Sequence, residues 1–335
     1  MSSDWRDLAE EPSDSVGFVF SSKRSMVSHP TVAVIVVNWN RPQDTLECLE
    51  SVWSSTYAQC GIIVVDNGST DDSVERLRNT NRPLILLENV ENLGFSGGNN
   101  RGMQYALERG ADYVLLLNND TVIATDAIER LVLAAEANPT LGILCPKILF
   151  FDPPPRIWFG GSKFNPRYLT SHMVGYGLED MGQFNGERDI PFISGCAMFI
   201  RRELIEKAGL LCEDFFAVME DLDYSLRASQ YGYRLRYVPA AVVRHKESIS
   251  SGGRDAPQYV YYRTRNVSIL RRRWANGSLH GLISASYMLL YFMKHALRLA
   301  REGKWRSILG LIYGIRDGIL GRRGRREYRV LASSR

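Results

Sequence analysis

From Thr31 onward the chain alternates short β-branched apolar runs with stretches whose apolar residues recur at helical spacing, and this alternation limits the fold more than any other feature. TVAVIVVNWN reads as a strand ending in polar residues. RPQDTLECLESVWSS then carries Leu46, Leu49, Val52 and Trp53 on one helical face, with Pro42 suited to a first turn. GIIVVDNGST and DDSVERLRN repeat the pattern, PLILLEN gives a third strand, and the glycine-rich GFSGGNN opens a helix through Met103, Ala106 and Leu107. YVLLLNND is a fourth strand and DAIERLVLAAEAN a further helix. Strands apolar on both faces belong to a parallel sheet covered by helices. Sites in such sheets lie beyond the carboxyl ends of the strands, where each of these polar clusters falls.

Residues 150–190 are rich in Gly, Pro and aromatics and lack periodicity, which predicts loops or an antiparallel excursion. PFISGCAMFIRRELIEKAG then reads as a strand and a short helix, and FFAVMEDLDYSLRASQYGYRLRYVP as a helix from about Val218 followed by a strand. A chain of 335 residues, 45% apolar, can bury a substantial core in one large or two modest domains. Its net charge of +4 hides an asymmetry: residues 263–335 hold 17 Lys and Arg against 3 Asp and Glu, while everything before them is net acidic. Five cysteines, scattered and never spaced as CxxC, argue against a disulfide framework or a zinc knuckle and for a reducing cytoplasm. The first residues, acidic and small polar, lack the basic start and apolar core of a secretory signal, so residues 1–29 read as a flexible leader.

The residues able to do chemistry are Asp66 in VVDNGST, the GFSGGNN segment, Asp120 in NND, Glu220, Asp221 and Asp223, and His245 in VVRHKES. Taken singly, each has an ordinary structural explanation. An aspartate after a strand often closes an Asx-turn, glycines make turns, and a histidine after PAAVV can be a surface imidazole. Asp223 stands four residues before Arg227, the spacing of a helical ion pair. Asp120 is more telling: a carboxylate at the rim of a sheet is a hard oxygen donor, and magnesium or manganese takes one or two of these together with water and phosphate oxygens. Glu220 and Asp221 are offset by roughly 100° on their helix. Neutral imidazole is a common metal ligand.

Taken in order, VAVIVVNWNRP, IIVVDNGSTDDS, NLGFSGGNNRG, LLLNND, FISGCAMFIRRE and FFAVMEDLDYSLRASQYGYRLRYVPAAVVRH resemble the inverting glycosyltransferases of family 2, over residues 31 to about 250. The resemblance implies the nucleotide-diphospho-sugar transferase fold called GT-A, an α/β fold with a mostly parallel central sheet flanked by helices. It implies that Asn38 and Asn40 lie along the nucleotide, that Asp66 bonds the base edge, and that Gly94, Phe95, Gly97, Gly98 and Asn99 pass close to base and ribose. Asn118, Asn119 and Asp120 stand where the family has its DxD motif. The first position is Asn, so Asn118 would hydrogen-bond near the ribose, with Asn119 beside it, while Asp120 holds Mg2+ or Mn2+. His245 would complete the metal site, Asp221 would be the general base with Glu220 as its orienter or a partner of the acceptor hydroxyl, and Gly195 and Cys196 would leave room beneath the donor sugar or acceptor. Trp158 reads as a sugar platform or a core tryptophan.

The same resemblance, closest in feel to rhamnosyltransferases, implies L-rhamnose from dTDP-rhamnose as donor and a cell-surface or lipid-linked glycan as acceptor. UDP-galactofuranose, UDP-hexose or GDP-mannose are alternatives, as is a non-catalytic glycan-binding scaffold. A dinucleotide oxidoreductase would need GxGxxG after the first strand, where the chain has NWNRPQ. The domain reading is a leader over 1–29, a transferase domain over 30–262 and a basic helical region over 263–335. In that last region the apolar run Leu282–Met293 is too short to span a bilayer. Flanked by arginines and lysines, it would lie on an anionic membrane at the cytoplasmic face or pack as a core helix. No nucleic-acid signature accompanies the basic charge. The tail leaves room for oligomerisation.

Overall fold

The computed structural model describes residues 29–247, 253–275, 277–326, 328 and 331; the expected leader, apart from its last residue, lies outside them. The alternating segments fold in the order read from the sequence. Strand β1 (Val32–Asn38) leads to helix α1 (Pro42–Trp53), then β2 (Cys60–Asp66), α2 (Ser73–Arg78), β3 (Ile85–Glu88), α3 (Gly94–Glu108) and β4 (Tyr113–Asn118). A short β5 (Thr121–Ile123) and α4 (Ala127–Glu136) follow. Nearly every residue of β1, β2 and β4 is buried on both faces, which is what their β-branched runs require.

The second half adds β6 (Leu141–Phe150), the short strands β7 (Ile157–Phe159), β8 (Ser162–Asn165), β9 (Thr170–Met173) and β10 (Arg188–Asp189), then β11 (Ala197–Arg201), α5 (Arg202–Ala208), α6 (Glu220–Gln230) and β12 (Arg234–His245). Ten strands form one sheet with the path β10-β12-β6-β11-β4-β1-β2-β3, while β8 and β9 pair apart as a hairpin. The sheet is mixed. Strands β1 to β4 are mutually parallel, as are β6 and β12, but β11 runs antiparallel between β4 and β6. The reversal follows from connectivity, because β11 is reached through the antiparallel excursion of residues 157–189 and not through a helical crossover. β12 in turn pairs β5, setting His245 opposite Thr121. Helix α3 packs on β1 and β2, and α4 and α6 pack on β6 and β12.

The basic region is three helices, α7 (Pro257–Trp274), α8 (Gly277–Arg301) and α9 (Trp305–Ile319). The change of charge at residue 262 falls inside α7. Gly310, Gly314 and Gly318 line one face of α9, and a Cβ on them would come within 2.3 Å of Pro257 O, 2.7 Å of Thr264 Cβ and 2.6 Å of Ser268 Oγ. Only glycine lets α7 and α9 approach this closely. Helix α8 rests on the β8–β9 hairpin through stacking of Tyr287 on Tyr168 and contact of His280 with the Pro166 carbonyl. Its other side leaves Leu279, Leu282, Leu289, Leu290, Met293 and Leu297 exposed. Among the described residues no helix is long and apolar enough to cross a membrane.

Candidate active site

The carboxyl ends of β1, β2 and β4 converge, and their polar residues divide into a braced layer and a cleft wall. Asn38 donates to Asp66 (2.8 Å) and accepts from Thr45 (2.7 Å), while Ser69 donates both its backbone N–H and its hydroxyl to the Asp66 carboxylate. Asn40 takes φ 53° and caps Thr70 N at 2.7 Å. Asn38 and Asp66 are buried behind the wall and hold two strand ends in register. Asn67, next to Asp66, reaches the cleft instead.

That cleft has a volume of about 270 Å³. From the sheet side it is lined by Val37, Trp39, Asn118, Asn119 and Asp120, from α3 by Gly94, Phe95 and Asn99, and from the opposite side by Phe216, Ala217, Val218, Gln258, Tyr259 and Tyr262. The glycines expected near a ligand split in the same way. Gly97 and Gly98 pack inward, where a Cβ would lie 2.7 Å from Leu93 Cβ and 2.9 Å from Val37 Cγ1. Gly94, at φ +75°, adjoins the Phe216 carbonyl, which would lie 2.3 Å from its Cβ.

Two pairs of titratable groups stand near this cleft, and of the four only Asp120 is part of its lining. Asp120 Oδ1 and His245 Nε2 are 3.2 Å apart, both nearly buried, and Lys246 N bonds the Asp120 carbonyl at 3.0 Å. Burial pushes the His245 pKa down, but Cys196 and Asp120 beside it raise it to about 10. The second pair opens α6. Asp221 accepts from Gly195 N (3.1 Å) and Leu222 N (2.8 Å), and Glu220 is 5% exposed with Oε2 unpartnered among the described residues. Burial, then the Asp221 charge, drive the Glu220 pKa well up. Burial also raises Asp221, against the lowering effect of its N–H bonds. β11's leading residues touch both regions: Gly195 N holds Asp221, and the Cys196 carbonyl accepts at 2.9 Å from Asn118 N, two residues before Asp120. The charge of Asp221 also acts on Tyr259, which lines the cleft. Asp223, by contrast, turns inward to Arg227 (3.0 Å), the ion pair its spacing predicted, and also meets Arg273 (2.8 Å).

The loop before α6 is strained. Phe216, Val218 and Met219 have φ of 63°, 70° and 80°. Each such non-glycine residue costs about 1–3 kcal/mol, and a β-branched valine is the least tolerant of it.

A family model described as glycosyl transferase family 2 matches residues 33–209, more than half of the chain. The chain belongs to glycosyl transferase family 2. Curated relatives include y4gI of Sinorhizobium fredii, an uncharacterized protein, at 27% identity over 77% of this chain and 29% of that protein; this chain thus spans under a third of its length. The N-acetylglucosaminyl-diphospho-decaprenol L-rhamnosyltransferase of Mycobacterium tuberculosis is 25% identical over 83% of this chain and 97% of the relative. Among solved structures, the mannosyltransferase PcManGT from Pyrobaculum calidifontis, in complex with GDP-Man and Mn2+, aligns over 88% of both chains with a TM-score of 0.54 and 18% identity. That likeness carries the GT-A fold.

In this family 2 chain no group of three or more His, Cys, Asp or Glu side chains suited to a metal occurs among the described residues. The Asp120–His245 pair still fits a hard divalent cation, which takes few protein donors when water and diphosphate oxygens complete its shell. Trp158 is a core residue, 7% exposed, with its ring edge-on to His245 at 4.6 Å between centroids. Among the lining residues that sequence reasoning did not reach are Trp39, Asn67 and Phe216, and Gln258, Tyr259 and Tyr262 of α7. For Trp39 the signal was available, a large aromatic between two strand-end asparagines.

Proposed function

We propose that the chain is a metal-dependent inverting glycosyltransferase that moves a sugar, L-rhamnose from dTDP-rhamnose foremost, onto a hydroxyl of a cell-surface or lipid-linked glycan. One observation carries this reading: Asp120, paired with His245, lines the cleft, and Asp221 is held by Gly195 N, next to Cys196, whose carbonyl bonds Asn118 N of the cleft wall. In this reading Asp221 takes the proton of the acceptor hydroxyl as that oxygen attacks the anomeric carbon from the side opposite the leaving diphosphate, so one displacement inverts the centre. Burial raises its pKa, which suits a proton acceptor, and burial together with the Asp221 charge raises Glu220 well above the ordinary carboxylate range. Mg2+ or Mn2+ bound by Asp120 and His245 would neutralise the departing diphosphate. Asn118, Asn119, Asn99 and Gly94 offer polar and close-packed surface to the nucleotide, and Trp39, Phe95 and Tyr259 offer rings to the sugar or base. Asp66, Asn38 and Asn40 act in this scheme by bracing the strand ends. The L-rhamnosyltransferase relative supports rhamnose as the donor sugar.

The basic region is the membrane-facing part of this scheme. The exposed apolar residues of α8 span only about 100° of its circumference, and Lys294 and Arg301 stand along one edge of that stripe. An anionic cytoplasmic leaflet matches both the stripe and the surplus of positive charge. The test of the function is Mn2+-dependent release of nucleoside diphosphate from a panel of sugar nucleotides with crude lipid acceptor. dTDP-rhamnose should be turned over, Asp221→Asn should abolish turnover while keeping donor binding, and Asp120→Ala should weaken metal-dependent donor binding. Silence across the panel would favour a scaffold, and full activity in either variant would remove that residue from its role.

A further inference from the structure

The loop Phe216–Met219 holds an unfavourable backbone conformation directly before Glu220 and Asp221, and something must hold it there. One restraint is α3: Ser96 N donates to the Phe216 carbonyl at 3.2 Å, and Gly94 leaves room for that carbonyl. The other is α7. The Asn266 side-chain amide lies 3.0, 2.7 and 2.6 Å from the carbonyl oxygens of Phe215, Ala217 and Val218. Its orientation is fixed, because Arg265 Nε donates to Asn266 Oδ1 at 2.9 Å and so turns Nδ2 toward the loop. Arg265 adds bonds of its own to the carbonyls of Asp214 (3.2 Å) and Phe215 (2.7 Å). Both side chains are completely buried. Buried Asn266 spends its amide on this stretch of backbone and buried Arg265 its Nη2, with Arg265 Nη1 on the Gly324 carbonyl, a specific restraint on carbonyls that lie mostly outside regular secondary structure. Tyr262, on the same helix, stacks on Phe216 at 5.0 Å and completes the grip.

We propose that Asn266, oriented by Arg265, is a positioning residue for the Glu220–Asp221 pair: it locks the Phe216–Met219 backbone from which α6 presents Asp221 to Gly195 N. The inference rests on the glycosyltransferase reading for its kinetic consequence. Its structural consequence stands without it.

The near-isosteric Asn266→Asp places oxygen where the donor was, facing three carbonyls. Tyr261→Phe is the comparison, since it removes the 2.8 Å bond from Tyr261 to Asp317 on the α9 side of the same helix without touching the loop. Two measurements are made on the full chain: hydrogen exchange over residues 214–222, and steady-state kinetics with dTDP-rhamnose and Mn2+. Asn266→Asp is expected to speed exchange in that segment and to lower kcat about 10- to 100-fold, with donor KM within about threefold, the pattern of a displaced base and an intact donor site. Tyr261→Phe is expected to lower Tm with neither effect. Unchanged exchange in Asn266→Asp, faster exchange with unchanged kcat, or a kcat loss equalled by Tyr261→Phe would each overturn the proposal. A wild-type chain that turns over no donor would instead defeat the functional reading, and exchange alone would then decide the clamp.

Discussion

Replacing Gly94 by alanine separates backbone strain from steric exclusion at the cleft, because the same helix supplies its own control. Gly94 and Gly110 sit at opposite ends of α3 with φ of +75° and +83°, but a Cβ at Gly110 meets nothing within 4 Å. Gly110→Ala therefore reports the left-handed backbone penalty alone, roughly 1–2 kcal/mol. At Gly94 the added carbon would lie 2.3 Å from Phe216 O and 2.5 Å from Phe216 Cδ2. The loop must retreat by about 1 Å, breaking the Ser96–Phe216 bond at about 1 kcal/mol and incurring an overpacking cost of about 1–3 kcal/mol. Gly94→Ala should thus cost about 3–6 kcal/mol, and exceed Gly110→Ala by about 2–4 kcal/mol. Urea unfolding of both variants at unchanged m measures the difference. Equal losses, within about 0.5 kcal/mol, would show that the Phe216 loop yields freely and refute the picture of a backbone pinned between α3 and α7.

The Glu220 carboxyl predicts a pH dependence of stability. Because burial raises its native pKa well above the ordinary 4.5, the native state keeps a proton that the unfolded state has lost, so its contribution falls as pH rises from the unfolded value to the native one. Glu220→Gln has no proton to lose; its stability relative to wild type should grow by about 1.4 kcal/mol per pH unit through that window, and urea midpoints at pH 5, 6 and 7 that keep a constant offset would contradict this. Sedimentation with phosphatidylserine-containing vesicles tests the α8 stripe: Leu290→Asp with Met293→Asp should weaken binding at least about tenfold, whereas binding equal to wild type would locate the contact elsewhere.

What the chain discloses before folding depends on whether a residue's task leaves a periodic trace. Strands β1, β2 and β4 are uninterrupted apolar runs closed by Asn or Asp, and both their existence and their polar ends could be read directly. Strand β6 could not, because Pro146 and Lys147 break its apolar run; in the fold Lys147 is buried and paired with Asp180 at 2.8 Å. The carboxylates Asp120 and Asp221 and the imidazole His245 were legible as strand-end and helix-start residues; in the fold Asp120 lines the cleft and pairs with His245. The glycines of GFSGGNN were legible as special but not in kind, since Gly97 and Gly98 serve helix packing on Leu93 and Val37. Least legible was α7, where Arg265 and Asn266 stand out in no way from the basic region around them. Their burial depends on carbonyls some fifty residues earlier, and no local pattern encodes that.

The charge reversal at residue 262 looks like a seam at which a catalytic piece could be separated from an accessory one. Because α7 runs unbroken across it from Pro257 to Trp274, a protein shortened there would keep Tyr259 and Tyr262 but lose the side chains that tie down the backbone opposite them. Grafting a different carboxyl-terminal region onto this sheet would therefore reach into turnover itself, and swapping recognition of acceptors or surfaces between such chains calls for a junction beyond Trp274.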